Sequence, residues 1–297
     1  QRRVLADLAG ARVADDDDRR CATLLRERLE AHLAQHDAGD ELATLRPIAS
    51  PVQDLQEAFL MMPTATADDW AVVARRMARV PDAAAGYRAT LAEGLRTGRV
   101  NAARQAEAVV EQLGAWLAAD DGAGWYAGFV AGAEDVPDAL RADLERAAAA
   151  AAAAVADLRD WIAGTYVPAV AEVPDGVGRE AYLRGARAYL GADVDPEEAY
   201  AWGWEELARI EAEMAAEADR VLPGATPAQA FAHLEEHGAA IEGVDEAVRY
   251  LQGLMDSAIA DLDGRVVDVA EPVRRVEAMI APPGSAAAPY YTRPSLD

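Results

Sequence analysis

Residues 137–162 read PDALRADLERAAAAAAAAVADLRDWI, with eight consecutive alanines from Ala147 to Ala154. Alanine is the strongest helix former, because it loses no side-chain entropy and buries no polar group. The stretch is therefore expected to form one long helix. Its smooth surface lets neighbouring helices approach closely, which places it inside a bundle. Low-complexity drift in a GC-rich gene is the alternative reading of the same run. On the first reading, the segment sets the fold class: mainly α, a multi-helix bundle or array.

The segments on either side agree with this class. Arg19 to His36 carries Leu24, Leu25, Leu29 and Leu33 at helical spacing, and Asp15 to Asp18 supply negative charge at its start. Ser50-Pro51 and Thr66-Ala67-Asp68-Asp69 open two further helices. Pro81 starts another that ends near Gly98, and a helix runs from Asn101 to Leu117. Beyond a loop from Gly164 to Gly178, Asp195-Pro196-Glu197-Glu198 is a strong start, with Asp capping and Pro at the first helical position. Thr226-Pro227 and Val244 to Asp263 give two more helices. After Gly264, the short apolar runs Val266-Val267-Asp268-Val269 and Val276-Glu277-Ala278-Met279-Ile280 read as strands. A small β element is therefore expected at about residues 264–291. The expected organisation is an N-terminal helical region (1–163), a second helical region (164–263) and the start of a β-containing region of catalytic type (264–297).

Composition narrows the function classes. The chain has 297 residues, 52% of them hydrophobic, and a net charge of −24. All 28 basic residues are arginine. So acidic a chain repels nucleic acid and anionic membrane surfaces, since phosphate recognition needs basic patches. No run of about 18 uncharged apolar residues is present, so no membrane span is expected. The single cysteine, Cys21, excludes an internal disulfide framework and reads as a small buried hydrophobe. With no signal peptide visible, the cytoplasm is the expected location, although a trimmed start would hide such a segment.

Two histidine pairs have i, i+4 spacing, which puts both imidazoles on one helix face as a zinc site requires: His32 with His36, and His233 with His237. The second pair fits the inverted zincin pattern H-x-x-E-H, with Glu236 as the base. Both histidines also sit in the last turn of a short helix, where the helix dipole alone explains them, and a third ligand would have to come from elsewhere. The pair is therefore read as a decoy, and no metal ligand is assigned. Nor is a catalytic residue assigned. The tryptophans 116, 125, 161, 202 and 204 read as core or inter-helix wedges. Tyr290, Tyr291 and Arg293 follow a Pro-Pro-Gly-Ser loop and are the candidate substrate-binding residues, two aromatics and a cation that suit a ligand cleft.

The run GREAYLRGARAYLGADVDPEEAYAWGWEELARIEAEM, Gly178 to Met214, resembles a segment of the bacterial family called domain of unknown function 885. The matching positions are Gly178, Tyr182, Pro196, Glu197, Glu198, Gly203, Glu206, Arg209, Ile210 and Met214. The ending from Ala288 to Asp297 is similar to that family's approach to its catalytic region. The resemblance implies a mostly helical, zinc-metallopeptidase-like protein with a deep cleft. It also implies that an H-E-x-x-H helix supplies two zinc ligands and the general base, with metal-activated water attacking a peptide carbonyl. No such motif occurs in residues 1–297. The expectation is thus the N-terminal, cleft-forming half of such a protein, with zinc in the intact protein only. Its partners would be the C-terminal half or a complementary chain and a peptide-like substrate. Two alternatives remain: a non-catalytic helical scaffold or interaction protein, and an inverted-zincin-type metal site at His233, Glu236 and His237. An N-terminal half should expose apolar surface, expected around Val266 to Tyr291.

Overall fold

The computed structural model describes residues 1–119 and 122–280. The protein is mainly α, and its backbone divides into two compact units, which over the described residues are 1–192 and 193–280.

The first unit holds α1 (Arg2–Ala9), α2 (Asp16–Ala38), α3 (Pro51–Leu60), α4 (Ala67–Met77), α5 (Val80–Thr97), α6 (Ala103–Ala118), α7 (Trp125–Ala131), α8 (Asp138–Trp161), α9 (Val167–Ala169) and α10 (Arg179–Leu190). The alanine-rich α8 is its central element and packs against α4, α5, α6 and α7. Leu144, Ala148, Ala151, Val155, Leu158 and Ile162 recur at intervals of four and three and are all buried. Ala149, Ala150 and Ala153 of the same run face solvent. The run therefore has two faces although its sequence is uniform. The facing core comes from Leu55, Phe59, Val73, Met77, Leu91, Val109 and Leu113. Small side chains on α8 leave room for these larger ones, so the layers interlock.

An aromatic group closes one part of this core. The rings of Trp125 and Phe129 stack at 5.2 Å, Trp70 lies 5.6 Å from Phe129, and Tyr126 donates a 2.7 Å hydrogen bond to the Leu55 carbonyl. The tryptophans of this unit behave as expected of core residues: Trp116 and Trp125 are buried. A single π-helical turn, Ile162–Tyr166, follows α8. It carries the buried Tyr166 to where its hydroxyl accepts a 2.9 Å bond from the Asn101 N–H, while the Asn101 side chain accepts the Leu45 N–H at 3.0 Å.

Local signals in the sequence explain the element ends. Ser50, Thr66 and Thr226 each form a capping box with the residue three positions on, and the Asp15 carboxylate accepts the Asp18 N–H at 2.8 Å. Gly39, at φ +76°, ends α2 in the left-handed conformation that glycine adopts without strain.

On α2 the sequence pattern misleads. Leu24 and Leu25 are exposed, and only Ala31 is buried. Cys21, expected as a buried hydrophobe, is exposed as well. In this unit α2 meets α1 and α10, and the bonds that tie it and the turn after it to α10 are made by charged side chains. Arg28 donates to the Arg187 carbonyl at 3.2 Å and to the Ala188 carbonyl, Arg187 reaches Glu27 at 3.4 Å, and Arg184 pairs with Asp40 at 2.8 Å. Arg28, followed by Arg187, holds the Glu27 carboxyl below the usual carboxylate range.

The second unit comprises α11 (Pro196–Val221), α12 (Pro227–His237) and α13 (Val244–Leu262), with a 3-10 turn at Glu271–Val273. The Asp195 carboxylate caps α11, accepting the Glu197 N–H at 2.9 Å and the Glu198 N–H at 3.3 Å. Among the described residues of this unit, the buried ones are Ala218 and Ala230, one each on α11 and α12.

The β element expected at residues 264–291 is not formed among the described residues. One isolated bridge, Asp263 to Val267, is all the pairing present there. Side chains take the backbone partners that a neighbouring strand would supply. Gln252 of α13 donates to the Val276 carbonyl at 2.8 Å and accepts the Ala278 N–H at 2.9 Å. Asp263 accepts the Val269 N–H at 3.0 Å, and Arg274 donates to the Val269 carbonyl at 3.0 Å. With those groups satisfied, β-branched composition alone gives no ladder. No helix among the described residues is long and apolar enough to cross a membrane.

Candidate functional site

The segment from Gly178 to Met214 crosses α10 and the first part of α11. On α11, Arg209 grips Glu206 with two hydrogen bonds, of 2.8 and 2.5 Å, and also pairs with Glu213 one turn on. This clamp holds the Glu206 carboxyl below its ordinary range. It lies on one side of α11. The opposite side carries Tyr200, Trp204, Leu207 and Met214, all exposed.

Trp202 and Trp204 correct the expectation that tryptophans here are core or inter-helix wedges: they are 64% and 58% exposed. The physical reason is the lack of a neighbour. Among the described residues, α12 covers α11 around Ala218, while the first turns of α11 carry large rings with nothing over them. The same holds on α13, where Val244, Leu251, Leu254 and Leu262 are exposed, and after it, where Val266, Val267, Met279 and Ile280 are exposed. Exposed apolar side chains thus occur in the stretch after Gly264 and also on α11 and on α13.

The histidine pair sits on the last turn of α12. The rings of His233 and His237 lie 4.7 Å apart, edge to face, and Glu236 approaches His237 Nε2 at 3.8 Å. His237 and Glu236 face solvent, with side chains 55% and 77% exposed. Among the described residues, no group of three or more His, Cys, Asp or Glu side chains is placed to hold a metal ion. His36 of the other pair bonds Glu41 at 2.6 Å instead. Tyr290, Tyr291 and Arg293 lie outside the described residues.

The exposed ring pair Tyr200–Trp204 is the feature that residue-by-residue reading missed. Its signal was present, because aromatics at i and i+4 share a helix face. What the sequence lacked was any mark that this face has no partner helix.

The fold and this surface define a helical protein with one well-packed core and a second unit that keeps most of its apolar side chains in solvent. Residues 1–297 match the family described as bacterial protein of unknown function, DUF885, and the chain belongs to that family. No curated protein matches it.

Proposed function

We propose that this chain is the N-terminal, cleft-forming part of a zinc-metallopeptidase-like protein, without a complete catalytic centre of its own. The observation that carries this reading is the exposed apolar side chains of α11 and of α13, in a unit whose buried residues, among those described, are two alanines. Continuous exposed apolar side chains mark a surface that further polypeptide or a ligand covers. The resemblance of Gly178 to Met214 to a family with a metal-bearing helix outside this region supplies the chemistry. The described residues do not fit zinc, since His233, Glu236 and His237 are not grouped so that the three could hold one ion. Accordingly, no reaction step runs through the metal in this chain. The part its own residues play is to offer a wall: α13 presents exposed Val244, Leu251 and Leu254, against which a peptide-like substrate rests.

Metal analysis and peptide hydrolysis test the reading. Residues 1–297 alone are expected to carry no zinc and cleave no peptide. Co-expression with the polypeptide encoded immediately downstream, or in the adjacent reading frame, is expected to give a zinc-bearing complex that does. Stoichiometric zinc on residues 1–297, lost in His237→Ala, would overturn it, as would a downstream sequence without a metal-binding helix.

A further inference from the structure

Along α11, Tyr200, Trp204, Leu207, Glu211 and Met214 recur at intervals of four and three, so they form one ridge. All five are exposed. The Tyr200 and Trp204 rings stand edge to face, 6.1 Å apart at 81°, and make a two-walled aromatic corner. Glu211 lies two turns beyond Trp204, between Leu207 and Met214. A carboxylate in the middle of an apolar row does not suit an apolar partner, because burying it unpaired is costly. It does suit a partner with a cation at that point.

No arginine of the same helix fills that role. Arg209 is held by Glu206 and Glu213, and Arg220 by Glu217. Among the described residues, Glu211 has no ion-pair partner. The surroundings point the same way, since acidic residues outnumber arginines by more than three to one over residues 193–280. A second copy of a chain with net charge −24 would be repelled, and so would an anionic membrane or a nucleic acid.

We infer that this ridge seats a basic amphipathic helix of a partner polypeptide. Its apolar side covers Tyr200, Leu207 and Met214. An arginine or lysine on it pairs with Glu211, and a second cation two turns away lies against the Trp204 ring, where cation–π attraction adds to the seating. Such seating requires neither a metal nor peptidase chemistry, so it can fail while the metallopeptidase reading stands, and the reverse.

Calorimetry of the 297-residue protein decides it. The probes are a synthetic helical peptide with leucine on one face and arginine on the other, and the same peptide with glutamate for arginine. The basic peptide is expected to bind and the acidic one not to. Glu211→Gln is expected to weaken binding about fivefold, and Trp204→Ala about tenfold. Glu111→Gln, which removes one charge from α6, is expected to leave it unchanged. Both ridge side chains are exposed, so neither variant threatens the fold, which far-UV circular dichroism verifies. Equal binding of the two peptides, no binding of the basic one, or indifference to either ridge variant overturns the inference.

Discussion

Gly94 sits where two stretches of backbone converge. A Cβ there would stand 2.5 Å from the Arg99 carbonyl oxygen and 2.8 Å from that of Leu42. Neither atom belongs to a flexible side chain, so the backbone itself would have to shift. Gly94→Ala is therefore expected to destabilise the protein by about 2 kcal/mol, read from the urea midpoint, although alanine is the better helix former. Tyr166 makes the complementary case. Its buried hydroxyl accepts the Asn101 N–H, and Tyr166→Phe leaves that donor without its partner. A loss of about 1 kcal/mol is expected in the same measurement.

At the level of whole elements, α8 tests how a uniform sequence acquires two sides. Ala151 is fully buried and Ala153 is exposed. Ala151→Leu forces a large side chain among α4, α5, α6 and α7 and is expected to cost about 3 kcal/mol. Ala153→Leu is expected to change stability by less than about 0.5 kcal/mol. Equal effects would mean that α8 is not the centre of the bundle. The bonds between α2 and α10 are made by charged side chains instead. The folded-state pKa of Glu27 lies below its ordinary value, so its contribution is present at neutral pH and is lost as pH falls through that depressed pKa. Hydrogen exchange in residues 179–190 is accordingly expected to speed up as pH falls through the carboxylate range, after correction for intrinsic rates. Glu27→Gln should show the faster exchange already at neutral pH.

Across the whole molecule, packing is unevenly shared. The first unit buries a continuous core, while the second buries two alanines among its described residues. Amide protection should follow: α5, α6 and α8 exchange slowest, and α11 to α13 exchange faster by orders of magnitude when residues 1–297 are measured alone. The same unevenness explains what the sequence could and could not convey. The alanine run, the Asp195-Pro196 start and the Thr226-Pro227 start act over a few residues, so the helices were legible. Burial depends on neighbours far along the chain. Trp116 and Trp204 are the same residue type on similar helices, yet one is buried and the other bare, because only Trp116 meets a packed layer. Val276 to Ile280 has the composition of a strand, but Gln252 of α13, more than twenty residues earlier, answers its backbone. The aromatic corner on α11 could be read as a shared face, but not as an uncovered one.

The π turn at Ile162–Tyr166 inserts one residue beyond the α-helical count, with the Val167 N–H reaching back to the Ile162 carbonyl. The wider turn takes up the surplus residue within itself, so the chain beyond it leaves in nearly the direction an uninterrupted α-helix would give, with Tyr166 bonded to Asn101. A residue removed from the regular part of α8 has no such buffer: it would rotate Tyr166 by about 100° around the axis and cost the loop at Asn101 its anchor.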